Sequence, residues 1–182
     1  MKNIFIPALL FFSAVSFAQV AIGKSSVTNS SVSLEFETGN KGIILPWTNA
    51  TSNSAPFITG YAGVETIVDG TLVFDTSDRK VKYKKGGSWF DLSVDTNGVV
   101  NTALQATKTE LPNAKTIIGG NASTNTNPGI LVLTDNDKAM ILPKTALPHL
   151  NIKNPEPGML VYDTTNRQLA VFNGTNWSFW KP

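Results

Sequence analysis

The sequence predicts an all-β protein built from two tandem antiparallel β-meander repeats. Three observations carry that prediction. The chain repeats itself at a nearly constant spacing, its apolar residues alternate with period two, and its turn residues recur at matching places in both halves. Gly70-Thr71-Leu72-Val73-Phe74-Asp75-Thr76 lines up with Gly158-Met159-Leu160-Val161-Tyr162-Asp163-Thr164, 88 residues later. The match runs without a gap through Gly86 over Gly174 and Trp89 over Trp177. Upstream, Lys41-Gly42-Ile43-Ile44-Leu45-Pro46 matches Lys138-Ala139-Met140-Ile141-Leu142-Pro143, now 97 apart, and Ile22-Gly23 answers Ile118-Gly119. Block order is conserved between the halves and only the intervening loops differ in length. The implied organisation is a leader over 1–18, repeat one over 19–93, a linker over 94–115 and repeat two over 116–182.

The leader comes first. Lys2 gives a positive start, Ile4 to Val15 is almost wholly apolar, and Ser16-Phe17-Ala18 offers the small residues of a cleavage site. The apolar run falls short of the roughly 20 residues a spanning helix needs. The expectation is therefore a secretory signal cleaved after Ala18, with no membrane insertion once it is removed. The protein is then secreted: extracellular, at the cell surface or periplasmic.

Within repeat one, Thr71 to Asp75 is rich in strand formers and Thr76-Ser77-Asp78 is turn chemistry. Lys80-Val81-Lys82-Tyr83-Lys84 alternates polar with apolar, as a half-buried strand does. Gly86-Gly87 suits a tight hairpin, and Ser88 to Leu92 returns. Repeat two places Asn173-Gly174 at the same turn. The Ile-Ile-Leu-Pro and Met-Ile-Leu-Pro runs read as short strands, each stopped by a proline that cannot donate to a ladder. Segments 47–66 and 144–157 read as loops, and Asn101 to Glu110 as one short helix ended by Pro112.

The two repeats differ on one strand in a way that matters. Lys82 and Lys84 of repeat one become Ala170 and Phe172 in repeat two. The earlier strand has one apolar face and the later one has two, and a sheet apolar on both faces needs a second layer. Phe179 and Trp180 add apolar area nearby. That layer is the sister repeat, other chains or a partner. Self-association is the favoured reading, which makes Ala170, Phe172, Phe179 and Trp180 the expected contacts of a homo-oligomer interface.

Composition removes many chemistries. The 182 residues include 14 Ser, 20 Thr and 17 Asn but only 15% charged residues, and 15 basic against 13 acidic side chains give a net +2. That balance argues against a nucleic-acid partner. The absence of Cys removes disulfides, thiolate metal sites and thiol catalysis. His149 stands alone, without a G-x-S-x-G turn or any phosphate or dinucleotide fingerprint around it. Asp75 with Asp78 resembles a glycosidase pair, but its counterpart is Asp163 with Asn166, and an amide cannot act as general base. Both read as turn formers. Asp135-Asn136-Asp137 lacks the further ligands and glycine of a calcium loop. No catalytic residue, metal or cofactor is expected.

Binding chemistry has two candidates. Lys80, Lys82, Lys84 and Lys85 with Tyr83 and Trp89 could meet an anionic glycan, although lysines on a strand also guard against edge pairing. Trp47 and Tyr61 lie in a repeat-one loop without aromatic counterparts in repeat two, and loops on β scaffolds commonly carry recognition.

A resemblance adds to this. Val20-Ala21-Ile22-Gly23, Leu34 and Lys41-Gly42-Ile43-Ile44-Leu45-Pro46 resemble the V-G-I-G-T, L-x-V and K-G-L-L-I-P-R opening of secreted Bacteroidota repeat proteins. Gly70 to Thr76 with Tyr83, Gly86 and Trp89 is similar to their G-L-L-V-Y-D-T and Y-Y-N-G-T-x-W block, and Asn173-Gly174-Thr175-Asn176-Trp177 matches it more closely. Trp47 departs from the arginine usual after the proline, and the T-T-x-x-Q-R stretch is missing. Asp163-Thr164-Thr165 is similar to a short O-glycosylation pattern of that group. Similar blocks occur in phage tail-fibre-like proteins, and that resemblance implies a fibre-like β-structured trimer. The combined expectation is a non-enzymatic structural or adhesive surface protein that assembles through apolar sheet faces, with a surface glycan or another surface protein as a further partner. The alternatives are a carbohydrate-binding module and, third, a glycan hydrolase with a carboxylate pair.

Overall fold

The computed structural model describes residues 19–48, 67–109, 111, 114–121, 123–127 and 129–181. The leader and Tyr61 lie outside the described residues. The rest is almost entirely β. Repeat one supplies β1 (Val20–Ile22), β2 (Val32–Phe36), β3 (Ile43–Ile44), β4 (Trp47–Thr48), β5 (Leu72–Asp75), β6 (Lys80–Lys85) and β7 (Ser88–Asp91). Repeat two follows with β8 (Thr116–Ile118), β9 (Leu131–Leu133), β10 (Ala139–Ile141), β11 (Lys144–Thr145), a four-residue helix α1 (Pro148–Asn151), β12 (Met159–Asp163), β13 (Gln168–Phe172) and β14 (Trp177–Trp180).

Each repeat forms a meander. One sheet runs β4-β5-β6-β7 and the other β11-β12-β13-β14; in each, the first strand is parallel to the second and the rest are antiparallel. Local chemistry sets the turns. Gly86 and Gly87 both take positive φ, 57° and 76°, which closes a two-residue hairpin where residues with a Cβ are disfavoured. The matching turn in repeat two is longer, with Phe172 opposite Trp177 and four residues between them. There the Asn173 carboxamide oxygen accepts from the Thr175 and Asn176 N–H groups at 2.9 and 2.7 Å.

The repeats interlock. β10 of repeat two pairs parallel to β2, extending the β1-β2 sheet of repeat one. In exchange, β3 of repeat one pairs antiparallel to β12. The two meanders pack face to face through one core: Leu45, Phe74, Val81 and Leu92 from repeat one, Leu160 and Val171 from repeat two. Full burial of such side chains stabilises by about 1.5–3 kcal/mol each.

The double-sided apolar pattern of the later meander is observed, and its cover comes from within the chain. Leu160 and Val171 face the sister sheet, whereas Val161, Ala170 and Phe172 form a second cluster with Met159 and Ile152. Ile152 follows α1, so the segment after β11 folds over the outer face. Ala170 is 0% and Phe172 8% exposed in the single chain. This corrects their assignment to an interface between chains: they are core residues here.

Two further expectations change. Residues 101–109 form isolated turns, with Ala106 N–H donating to Thr102 O at 2.9 Å, and Leu104 is 82% exposed. A helix that short needs an apolar surface to dock on, and Leu104 has none. The helix that does form, α1, sits in a segment read as loop, with Pro148 at its first turn, where a missing N–H is harmless.

The first half of the linker is part of the fold. Val94 N–H donates to Ser178 Oγ at 2.9 Å, and Thr175 Oγ1 to Asn97 O at 3.0 Å. Gly98 sits where a Cβ would lie 2.6 Å from the backbone oxygens of both Arg79 and Asn173. Gly98→Ala should therefore lower unfolding stability by about 1–3 kcal/mol, as overpacking does. Gly39→Ala, where a Cβ meets nothing within 4 Å, should be nearly silent in the same urea titration.

Candidate functional site

The lysine strand is an internal ion network. Strand alternation puts Lys80, Lys82 and Lys84 on the side away from Val81 and Tyr83. Lys82 pairs with Asp78, and with Asp75 and Asp91 at 3.5 Å each, while Lys80 reaches Asp91 at 2.5 Å. Burial on its own would lower the Lys82 pKa. The hydrogen bond to Asp78 and the charges of Asp78, Asp91 and Asp75 outweigh it and hold the ammonium above its ordinary range. Lys84 is buried, its ammonium 5.3 Å from the centre of the Trp89 ring.

Tyr83 points to the other side, stacked on Phe90 at 5.3 Å and packed against the inter-repeat core. Lys82, Tyr83 and Lys84 are therefore divided between two faces and do not converge on one ligand position. The sequence signal that reveals this is Asp91, directly across from Lys82 on β7; composition alone overlooks it.

Trp47 is corrected from a loop aromatic to a strand residue. It pairs with Phe74, its ring lies 6.1 Å from the Phe74 ring, and its indole N–H donates to Pro157 O at 2.8 Å. That bond joins repeat one to the segment just before β12. Gly158, at φ 83°, leaves room for it: a Cβ there would lie 2.8 Å from Phe74 Cβ and 3.4 Å from Trp47 Nε1.

The carboxylates act as turn anchors. Asp75 Oδ1 accepts from the Ser77 N–H at 2.9 Å and the Ser77 hydroxyl at 2.5 Å. Asp163, fully buried, accepts from the N–H groups of Leu147, Thr165 and Asn166 and from the Asn166 side chain at 2.8 Å. Burial opposes its charge, but the Asn166 side-chain bond, with the Leu147, Asn166 and Thr165 N–H groups, brings its pKa below the ordinary 3.8. The Leu147 bond matters most for architecture. It fastens the covering segment to the β12–β13 turn at a residue held at φ 45°, a conformation unfavourable for a branched side chain. Asp135 bonds Lys138 at 3.0 Å within its own turn and accepts from Gly120 N–H at 3.3 Å, which ties the ends of β8 and β9 together.

The end of the later meander stays partly exposed. Phe179 is 37% and Trp180 42% exposed. They point to opposite faces of β14. Phe179 meets the His149 ring edge-on at 5.6 Å, and the Trp180 indole N–H donates to Leu92 O at 2.6 Å. His149 thus serves as a packing partner beside the exposed aromatic.

One comparison bears on this repeat. Residues 107–181 match the model of a phage tail-like trimerisation region. The matched region takes in every strand of repeat two, from β8 to β14, and so includes Phe179 and Trp180. It fits a structural, oligomeric protein. No curated protein and no solved structure shows significant similarity to the chain. No helix among the described residues is long and apolar enough to cross a membrane.

Acid should loosen repeat one through Glu35. This buried β2 carboxylate bonds Lys24 at 2.7 Å, the Thr28 hydroxyl at 2.7 Å and the Thr28 N–H at 2.6 Å. The Lys24 bond, then those of Thr28, overcome burial and bring its pKa from 4.5 to about 2. Because the folded pKa is the lower one, the unfolded chain takes up the proton first. The stabilisation is complete above 4.5 and disappears as pH falls toward about 2. Denaturant titrations across that window should show a steeper loss for the wild type than for Glu35→Gln.

Proposed function

We propose that the chain is a secreted structural protein of the cell surface that assembles as a homotrimer and presents its loops for adhesion. The observation that carries this reading is the match of residues 107–181 to a phage tail-like trimerisation region, on the repeat whose terminal strand leaves Phe179 and Trp180 exposed. Large aromatics left half-open at a sheet edge are common anchors of protein interfaces. The leader pattern over 1–18 supports export, and its three-part composition is a feature of sequence.

The chemistry elsewhere supports a scaffold over a catalyst. Asp75 and Asp163 spend their acceptor capacity on turns, and His149 packs on a phenyl ring. Of the lysines that might attract an anionic glycan, Lys80 and Lys82 already have aspartate partners and Lys84 is buried beside Trp89. Assembly is the function that uses what remains exposed.

Light scattering on the chain lacking residues 1–18 should give three times the mass of one chain. Phe179→Lys should bring that mass down to a single chain with an unchanged circular dichroism spectrum. A wild-type monomer at working concentration contradicts the reading. N-terminal sequencing of the exported protein should begin at Gln19.

A further inference from the structure

The duplication places two equivalent parallel sheets in one chain, and only one of them is complete. Glu37 N–H donates to Ile22 O at 2.9 Å in the first, and Thr134 N–H to Ile118 O at 3.0 Å in the second. These bonds fix the correspondence: Leu34 of β2 is the counterpart of Leu131 of β9, and Phe36 that of Leu133. In the first sheet, β10 covers the outer edge of β2, with Met140 opposite Leu34 and Ile141 opposite Glu35. In the second, no described strand lies beside β9. The consequence shows in burial, since Leu34 is 1% exposed and Leu131 46%.

The edge left open is polar as well as apolar. Thr116 N–H donates to Ile130 O, so Ile130 and Thr134 direct their backbone groups toward β8. By alternation, those of Leu131 and Leu133 point outward. The counterpart of β10 in repeat one is β3, where Ile43 and Ile44 answer Met140 and Ile141. Among the described residues β3 also has an unpaired edge. Leu45 N–H donates to Gly158 O at 3.0 Å, so the backbone groups of Ile44 face away from β12, and its side chain is 49% exposed. The Ile44 groups are the equivalents of those that Ile141 offers to β2. Donor edge and acceptor edge therefore match in parity, direction and sequence.

We propose that β3 of one copy of the chain adds in parallel to β9 of a second copy, with Ile43 opposite Leu131 and Ile44 opposite Val132. The pairing repeats between chains what β10 and β2 do within one. Every chain then donates one edge and accepts one, a head-to-tail contact that gives a ring when the rotation between copies closes and a filament when it does not. This rests on the homo-oligomeric reading above and adds an edge-to-edge contact to the one at Phe179.

The chain contains no Cys, so introduced thiols report without background. Ile43→Cys and Leu131→Cys chains, tagged to differ in size, are co-expressed and oxidised. A disulfide-linked heterodimer should form in the mixture and in neither variant alone. Ile44→Cys with Val132→Cys is the second pair, one step along the same register, and should behave alike. If mixed oligomers of wild-type mass give no heterodimer with either pair, the pairing is overturned while the oligomeric reading survives. If the wild-type chain is monomeric by light scattering, both fall.

Discussion

The contact between the two meanders, with Phe74 and Val81 of one repeat against Leu160 and Val171 of the other, is what the remaining architecture depends on. A repeat of this size is a marginal unit by itself, and packing two together gives each a covered face. The strand exchange follows from that contact. Once the sheets face one another, β3 lies within reach of β12 and β10 within reach of β2, and each repeat completes a sheet of the other. Linker residues 94–98 then run between the hairpins, and Gly98 is the residue small enough to pass there.

The outer faces show how a duplicated unit diverges. Val73 and Val161 occupy equivalent positions and both are buried. Around Val73 the chain uses lysine stems and a lysine–aspartate network. Around Val161 it uses Ala170, Phe172 and Ile152, with α1 and the strained Leu147 bringing the cover into place. The first solution leaves a charged surface facing solvent, and the second leaves an apolar rim at Phe179. Divergence of one strand thereby separates a charged outer face from an apolar one.

Much of this was legible in the sequence. The 88-residue register located β5 to β7 and β12 to β14, because strand alternation and turn residues are local signals. The exchange of Lys82 and Lys84 for Ala170 and Phe172 correctly indicated a sheet covered on both faces. Its cover was not legible, since residues 144–157 have the Pro- and Asn-rich composition of a loop, and of their aliphatic residues Leu147, Leu150 and Ile152 it is Ile152 that joins the outer cluster. Trp47 was misplaced for a similar reason: two-residue strands carry no periodicity, and only the Pro157 and Phe74 contacts define its position. The open edge of β9 is a property of pairing between distant segments, so no pattern within β9 itself could announce it.

In the proposed assembly the chain covers its own sheet faces and leaves its free edges for other copies. Amide hydrogen exchange at several protein concentrations reads both parts at once. The amides of Leu160 and Val171 should be protected throughout, while those of Ile44, Leu131 and Leu133 should gain protection as concentration rises and lose it on dilution. Rapid exchange at Ile44, Leu131 and Leu133 at every concentration, in samples shown to be oligomeric, would contradict it.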